Sequence, residues 1–311
     1  VLLIDEGQDM NPPMLDIFLK QKTPKIVVGD PHQQIYMFRG AIDALNEVNS
    51  LSDVKTYYLT QSFRFGPAIG FIANCAIEHL KNNDSQTLVG GKKMDQLISS
   101  ENICNENIDT FKPVAVIGRT NAGLFDHIVK FVSENDGIRI SNQQGCSNFG
   151  ITDCCCCNKN KRQLKACFAG GFDSYNFNDY LDIYFLHKGQ TEKMKKYKTF
   201  PAFTSLNAFA KNTNDAELLS KIQSVSKYVD KLPNLIGLFE KYCKSDPKNA
   251  DYVFSTAHKS KGLEWKSVVL LDDFLEIPGS LTNSTLEIEP DEKNLLYVAM
   301  TRAKRYLVIS K

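Results

Sequence analysis

The sequence lacks a charge imbalance: 37 Lys and Arg stand against 36 Asp and Glu, leaving a net charge of +1. No global basic field announces a nucleic-acid partner, so contact with a polyanion has to come from a local patch. Long apolar runs are also missing. None approaches the roughly 20 residues that a membrane helix needs, so the chain reads as soluble with no membrane partner. No secretory leader is recognisable at the start, which turns nine cysteines away from a disulfide scaffold and toward a reducing, intracellular compartment. What remains is the composition of an ordinary globular protein. It is 42% hydrophobic and 23% charged over 311 residues, enough for two domains.

Short β-rich runs recur at Val1–Ile4, Lys25–Val28, Val54–Leu59, Val114–Ile117, Val268–Leu271 and Tyr306–Ile309. Helical patterns lie between them, an alternation that predicts an α/β fold of parallel sheets covered by helices. A helix is expected over Pro12–Lys20, with proline in its first turn. Apolar spacing predicts further helices through Ile69 to Leu80, through Leu124, Ile128 and Val132, and through Leu218, Ile222, Val225, Val229 and Leu232. Residues 173 to 245 read as mostly helical and separate two groups of strand signals, as an inserted domain would. The stretch 142–170 has no apolar period and is expected to be a low-complexity, Cys-rich disordered loop or a gene-model artefact. Its adjacent Cys154, Cys155, Cys156 and Cys157 do not suit one tetrahedral zinc site, because neighbouring side chains diverge. Val1–Ile4 reads as the middle of a buried strand, so upstream residues are expected to be missing.

Five segments carry chemistry. In Leu3-Ile4-Asp5-Glu6-Gly7-Gln8-Asp9 an aliphatic strand delivers two acids at its end, a way to hold Mg²⁺ with an Asp and polarise water with the following Glu. In the run from Val27 to Ala41 a strand ends in a polar turn where Gln33 can sense a γ-phosphate. The aromatic-basic stretch after it, with Tyr36 and Phe38, suits stacking on bases. Gln61-Ser62-Phe63-Arg64 sets an aromatic beside an arginine, able to stack a base and neutralise a transferring phosphoryl group. Ser255 to Trp265 combines hydroxyl, imidazole and ammonium donors suited to phosphate oxygens with Gly262, which allows close backbone approach. Asn294 to Arg305 is expected to place Arg302 on a helix as a second arginine finger. Each alone has a bland reading: a solvated acidic turn, core aromatics, or a core Phe beside a surface Arg.

Together and in this order, the five segments resemble superfamily 1 DNA helicases of the UvrD, Rep and PcrA group. DEGQD is similar to motif II, GDPHQQIYMFRGA to motif III, QSFRF to motif IV, TAHKSKGLEW to motif V and YVAMTRAK to motif VI. Within that group, GDPHQQIYMFRGA and VVLLDDF resemble the eukaryotic F-box DNA helicases most. The resemblance implies ATP and Mg²⁺ as cofactors and single-stranded DNA as partner. Asp5 would hold Mg²⁺, Glu6 act as catalytic base, and Gln33 meet the γ-phosphate and water. Phe63 would lie against adenine, Arg64 and Arg302 would be the arginine fingers, and Glu264, beside Gly262, would meet the nucleotide sugar. Tyr36, Phe38, Thr256 and His258 would line the DNA track.

The resemblance also implies a RecA-like helicase core with ATP between two domains. Residues 1–61 would end the first domain, and 62–140 with 251–311 would form the second. Residues 141–250 would be the mostly helical insertion. Movement 3′ to 5′, a role in DNA repair or recombination, nuclear residence, and ubiquitin-ligase partners through an F-box segment absent here follow from resemblance only; Lys159-Asn160-Lys161-Arg162 is a weak basic cluster. The sequence departs from the family in lacking any G-x-x-x-x-G-K-[ST] loop and in carrying Phe63 where Tyr is usual. The expectation is a helicase fragment that neither binds ATP tightly nor unwinds DNA by itself. The alternative is a non-catalytic DNA-binding or interaction remnant, which would have been free to lose Glu6, Arg64 and Arg302.

Overall fold

The computed structural model describes residues 1–81, 87–99, 103, 108–136, 163–274 and 290–309. Cys154 to Cys157 and the basic cluster at 159–162 lie outside the described residues. The chain begins with β1 (Leu2–Ile4), α1 (Pro12–Lys20), β2 (Lys25–Val27), α2 (Ala44–Asn49), α3 (Pro67–Lys81) and β3 (Gln96–Leu97). It continues through α4 (Ile108–Phe111), β4 (Val114–Gly118), α5 (Asn121–Asn135), β5 (Ala166–Phe168), α6 (Phe177–His187), α7 (Phe203–Asn212), α8 (Ala216–Tyr228) and α9 (Leu232–Cys243). Last come β6 (Tyr252–Thr256), α10 (Ala257–Ser260), β7 (Trp265–Leu270), α11 (Pro290–Met300) and β8 (Ala303–Ile309). No helix among the described residues is long and apolar enough to cross a membrane.

These elements fall into two compact units. The first comprises Val1–Leu97, Ser260–Glu264 and Phe274–Leu307. In it β1 and β2 pair in parallel, Leu2 with Lys25 and Ile4 with Val27, so that their carboxyl ends deliver Asp5 and Asp30 to one edge. Asn11 caps α1, accepting from Met14 N at 3.0 Å, and Pro12 occupies the first helical position as expected. Met10, Leu15, Phe18, Ala44 and Val48 are buried beneath this edge, with Leu2, Ile4 and Val27 packed on them. In the same unit β3 pairs with β8 in parallel, Gln96 with Tyr306 and Leu97 with Leu307.

The turn before α3 is held by the segment that leads into β3. Asp95 accepts from Ala68 N at 3.1 Å and Ile69 N at 2.8 Å, taking up two of the unpaired amides of the first helical turn. A side chain on Gly66 would overlap the Lys93 carbonyl, and one on Gly90 would overlap Gly66, so the two backbones cross where only glycine fits. Ser62 N donates to Val89 O and Gly91 N to Phe65 O, each at 2.8 Å.

The second unit comprises Ile98–Lys259, Trp265–Asp273 and Val308–Lys311. Its strands pair in parallel in the order β7, β4, β6, β5, with Val114 opposite Tyr252 and Ser267, and Cys167 opposite Val253. Every residue of β4, β5 and β6 is buried, the signature of a parallel sheet covered on both faces. Phe125 of α5 stacks on Tyr180 at 4.7 Å and meets Phe239 edge-on at 5.1 Å, drawing α6 and α9 onto α5. The α/β class expected from the alternation is therefore the observed one.

Four expectations need correction. Val54–Leu59 forms no strand, and Tyr57, Tyr58 and Leu59 are exposed, since only Gln61 makes an isolated bridge, to Val89. The period through Leu218 to Leu232 is not one helix: α8 ends at Tyr228 and α9 restarts at Leu232, because Pro233 has no N–H to continue the hydrogen-bond ladder. Part of the stretch read as a loop over 142–170 is ordered, with β5 buried against β6 through Ala166–Phe168. Arg302 lies just beyond α11, in the turn before β8, because the helix ends at Met300.

Candidate functional site

Every sequence-predicted nucleotide residue falls in the first unit. At the edge formed by β1 and β2, Asp5 and Glu6 are exposed and Glu6 N donates to Asp5 Oδ1 at 2.9 Å. Glu6 has φ 55°, a left-handed conformation that costs a non-glycine residue energy and so needs support. Support comes from buried Gln8, whose Nε2 donates to Glu6 Oε2 at 2.6 Å while its Oε1 accepts from Asp30 N at 3.0 Å. Gly29 has no side chain because a Cβ there would strike Gln8 Oε1.

Asp30 carries the row onward. Its Oδ1 accepts from His32 N at 2.9 Å, and its Oδ2 accepts from Gln33 Nε2 at 2.8 Å and from the Tyr297 hydroxyl at 3.2 Å. Gln33 Oε1 accepts from Arg302 Nη2 at 3.4 Å. Arg302 is only 1% exposed, and its Nε and Nη1 donate to the carbonyls of Val298 at 2.8 Å and Leu263 at 3.4 Å. Burial, and then the neighbouring Arg64 guanidinium, push its pKa down to about 10. The group remains cationic at neutral pH in a place that disfavours a cation, so an anion arriving there is stabilised.

Arg64 approaches the same turn. Its Nη1 donates to Thr301 O at 3.0 Å and its Nε to Glu264 Oε2 at 3.1 Å. Glu264 also pairs with Lys304, which, with Arg64 and against partial burial, holds its carboxyl below the usual range. The carboxylate expected to meet a nucleotide sugar is therefore occupied by two protein cations in this structure. Gly262 has φ 79° and closes the turn in which Leu263 N donates to Ser260 O at 3.0 Å. Phe63 is 75% exposed, which leaves its ring accessible for stacking.

Lys261 was read as one of several phosphate donors; instead it is 9% exposed and donates to Asp9 Oδ2 at 2.5 Å and Gln33 O at 2.9 Å. Its ammonium stands 3.5 Å from Glu6 Oε2. Burial raises the Asp9 carboxyl pKa, opposed by Lys261, and the second carboxylate oxygen of Asp9 is buried without a partner. Asp30, Tyr297 and Asn294, whose Nδ2 donates to Gln34 O at 2.6 Å, belong to the site as well, and the sequence does not single them out. Only their presence inside quoted motifs points to them, since Tyr297 and Asn294 reach partners more than 250 residues away.

The DNA-track residues are not brought together in one unit. Tyr36 lies in the first, with Arg39 and Lys261 each 5.1 Å from its ring centre. Phe38 sits in the short turn Met37–Arg39, and its side chain lies outside the described residues. Thr256 and His258 belong to the second unit, at the end of β6 and in α10; Thr256 is buried and its Oγ1 accepts from Lys259 N at 3.4 Å. Lys259, also read as a phosphate donor, is committed to Ser174 O at 2.6 Å and lies over the Tyr175 ring.

A row of hydrogen bonds thus runs from Glu6 through Gln8 to the Asp30 backbone, and from the Asp30 carboxylate through Gln33 to Arg302, with Arg64 on the Thr301 carbonyl. Comparison with known proteins decides the family. Residues 1–51 match the UvrD/REP helicase N-terminal domain, and residues 158–311 match the UvrD-like helicase C-terminal domain. The chain belongs to the UvrD-like helicases. It is similar to F-box DNA helicase 1 of Gallus gallus, 30% identical over 100% of this chain and 29% of that protein. F-box DNA helicase protein 1 of Schizosaccharomyces pombe is 30% identical over 99% of this chain and 33% of its own length. The chain therefore spans about a third of these relatives. Its parallel sheet flanked by helices is the architecture of a UvrD-like helicase core of RecA type.

Proposed function

We propose that this chain is the motor part, from motif II to motif VI, of an ATP-dependent DNA helicase that moves 3′ to 5′ on single-stranded DNA. The observation that carries the reading is the row joining Glu6, Gln8, Asp30, Gln33 and Arg302, with Arg64 on the next turn. The residues fit ATP with Mg²⁺ on chemical grounds. An exposed carboxylate pair, an amide and two guanidiniums, one of them buried with its charge opposed, form a donor set for a metal-bound phosphoryl group.

Bound ATP would supply the cleavable phosphoanhydride, with Mg²⁺ as charge partner. Asp5 would hold the metal. Glu6, its carboxylate oriented by Gln8, would take a proton from water. Gln33 would orient that water, and Arg64 and Arg302 would offset charge on the transferring group. Phe63 would stack on the base, and Glu264 would reach the sugar after exchanging a protein partner. Tyr36, Phe38, Thr256 and His258 would track the strand. We take residues 1–61 as the end of the first RecA-like domain, 62–140 with 251–311 as the second and 141–250 as its insertion. The compact units divide elsewhere, first after Leu97.

A link to ubiquitin ligases belongs to the same proposal, supported by the word F-box in the names of two relatives, while nuclear residence and a repair or recombination role rest on the family resemblance. The 311 residues contain no G-x-x-x-x-G-K-[ST] loop, and we infer that the chain by itself does not turn over ATP. The test is DNA-stimulated ATP hydrolysis by the full-length protein and by the 311-residue chain, each with and without Glu6→Gln. The reading expects activity only in the full-length wild type. Activity of the full-length protein that is indifferent to Glu6→Gln would overturn it.

A further inference from the structure

The amide of Gln33 has chemically opposite ends, and the structure settles which end points where. Its Nε2 faces Asp30 Oδ2 at 2.8 Å and its Oε1 faces Arg302 Nη2 at 3.4 Å. A carboxylate only accepts and a guanidinium only donates, so turning the amide over would set oxygen against oxygen and N–H against N–H. The polarity of Gln33 therefore depends on Asp30 staying where it is. Asp30 has three donors: His32 N on one oxygen, and Gln33 Nε2 and the Tyr297 hydroxyl on the other.

Tyr297 is 6% exposed, in α11, and Arg302 follows two residues after that helix ends. Asn294, one turn earlier, donates to Gln34 O at 2.6 Å and Pro31 O at 3.4 Å, so the turn carrying Gln33 is fastened to α11 on both sides. We propose that Tyr297 is a positioning residue for ATP hydrolysis: acting through Asp30, its hydroxyl fixes the orientation of the Gln33 amide beside Arg302. Helix α11 and the turn that follows it then set both ends of that amide, the acceptor end through Arg302 in the turn and the donor end through Tyr297 of the helix and Asp30. The inference rests on the helicase reading above.

The test uses the full-length protein and measures steady-state ATP hydrolysis on saturating single-stranded DNA. Tyr297→Phe removes only the hydroxyl. The expected result is a kcat lower by about tenfold with the KM for ATP within about twofold, the pattern of an interaction used in the reaction and not in binding. In a Gln33→Ala background the same change should have no further effect, because a residue acting through Gln33 cannot act without it. Asp30→Asn is the second variant and should reproduce the kcat loss.

An unchanged kcat in Tyr297→Phe overturns the inference. So does a loss of equal size in the Gln33→Ala background, which marks Tyr297 as packing alone. Should Tyr297→Phe fail to fold, Asp30→Asn with an unchanged kcat overturns it. If Glu6→Gln hydrolyses ATP at the wild-type rate, the helicase reading fails and takes this inference with it. If Glu6→Gln is inactive while Tyr297→Phe is normal, only this inference fails.

Discussion

Arg64 and Glu264 are joined across 200 residues of sequence by a 3.1 Å hydrogen bond from Nε to Oε2. Both side chains remain substantially exposed, at 30% and 41%, and a pair in that setting is worth no more than about 1 kcal/mol. Glu264 can therefore exchange a protein cation for a ligand hydroxyl at little cost. Arg302, buried a turn away, has no such freedom.

Glu6 is the group whose loss should be purest. Glu6→Gln keeps the Gln8 contact in shape and removes the base, so ATP hydrolysis by the full-length protein should fall by about 10² to 10⁴ while nucleotide binding persists. Nucleotide binding by fluorescence, run beside the hydrolysis assay, separates the two. Equal losses in both would place Glu6 in ligand binding instead.

Arg302→Lys keeps the charge and discards the fork that reaches Val298, Leu263, Thr301 and Gln33 at once. Hydrolysis should fall by about 10³, the usual weight of an arginine finger. Retention of more than about a tenth of wild-type kcat would remove Arg302 from that role.

Asp179 should dominate stability in the helical part of the second unit. Its Oδ2 accepts from Lys196 at 2.8 Å and Lys221 at 2.9 Å, and the Lys221 side chain is only 6% exposed. Asp179→Asn leaves that ammonium with Glu217 alone and should cost about 3 kcal/mol in urea unfolding of the 311-residue chain. A change below about 1 kcal/mol would mean that Glu217 suffices.

His127 gives the chain an acid sensitivity of predictable sign. Burial, and then Lys130, lower its pKa from 6.5 to about 4, so the folded protein holds the ring neutral where the unfolded chain would protonate it. Its stabilising effect is complete above pH 6.5 and is lost as pH falls toward 4. Thermal unfolding across that range should show a slope that His127→Gln flattens; an unaltered slope would assign the sensitivity to other groups.

The sequence made the candidate residues legible but not their connections. Asp5, Glu6, Gln33, Arg64 and Arg302 stand in motifs of recognisable wording, and the structure sets Gln33 between Asp30 and Arg302. Tyr297 and Asn294 read as one more helical face, because nothing local marks a hydroxyl or amide whose acceptor lies more than 250 residues away. Strand β5 escaped for a different reason. Three residues carry too little periodicity to stand out, and Ala166–Phe168 are strand only because β6 lies beside them. Val54–Leu59 erred the other way: it has β-type residues and no partner strand.

The crossing of Gly66 and Gly90 acts as a gear tooth. With no gap between the backbones, the segment bearing Phe63 and Arg64 cannot slip past the one that enters β3. Strand β3 is paired to β8, whose first residue follows Arg302 directly. The two guanidiniums are thus geared to one pair of strands, Arg64 through the glycine crossing and Arg302 through the chain itself. Enlarging either glycine would strip the gear while leaving both arginines in the sequence.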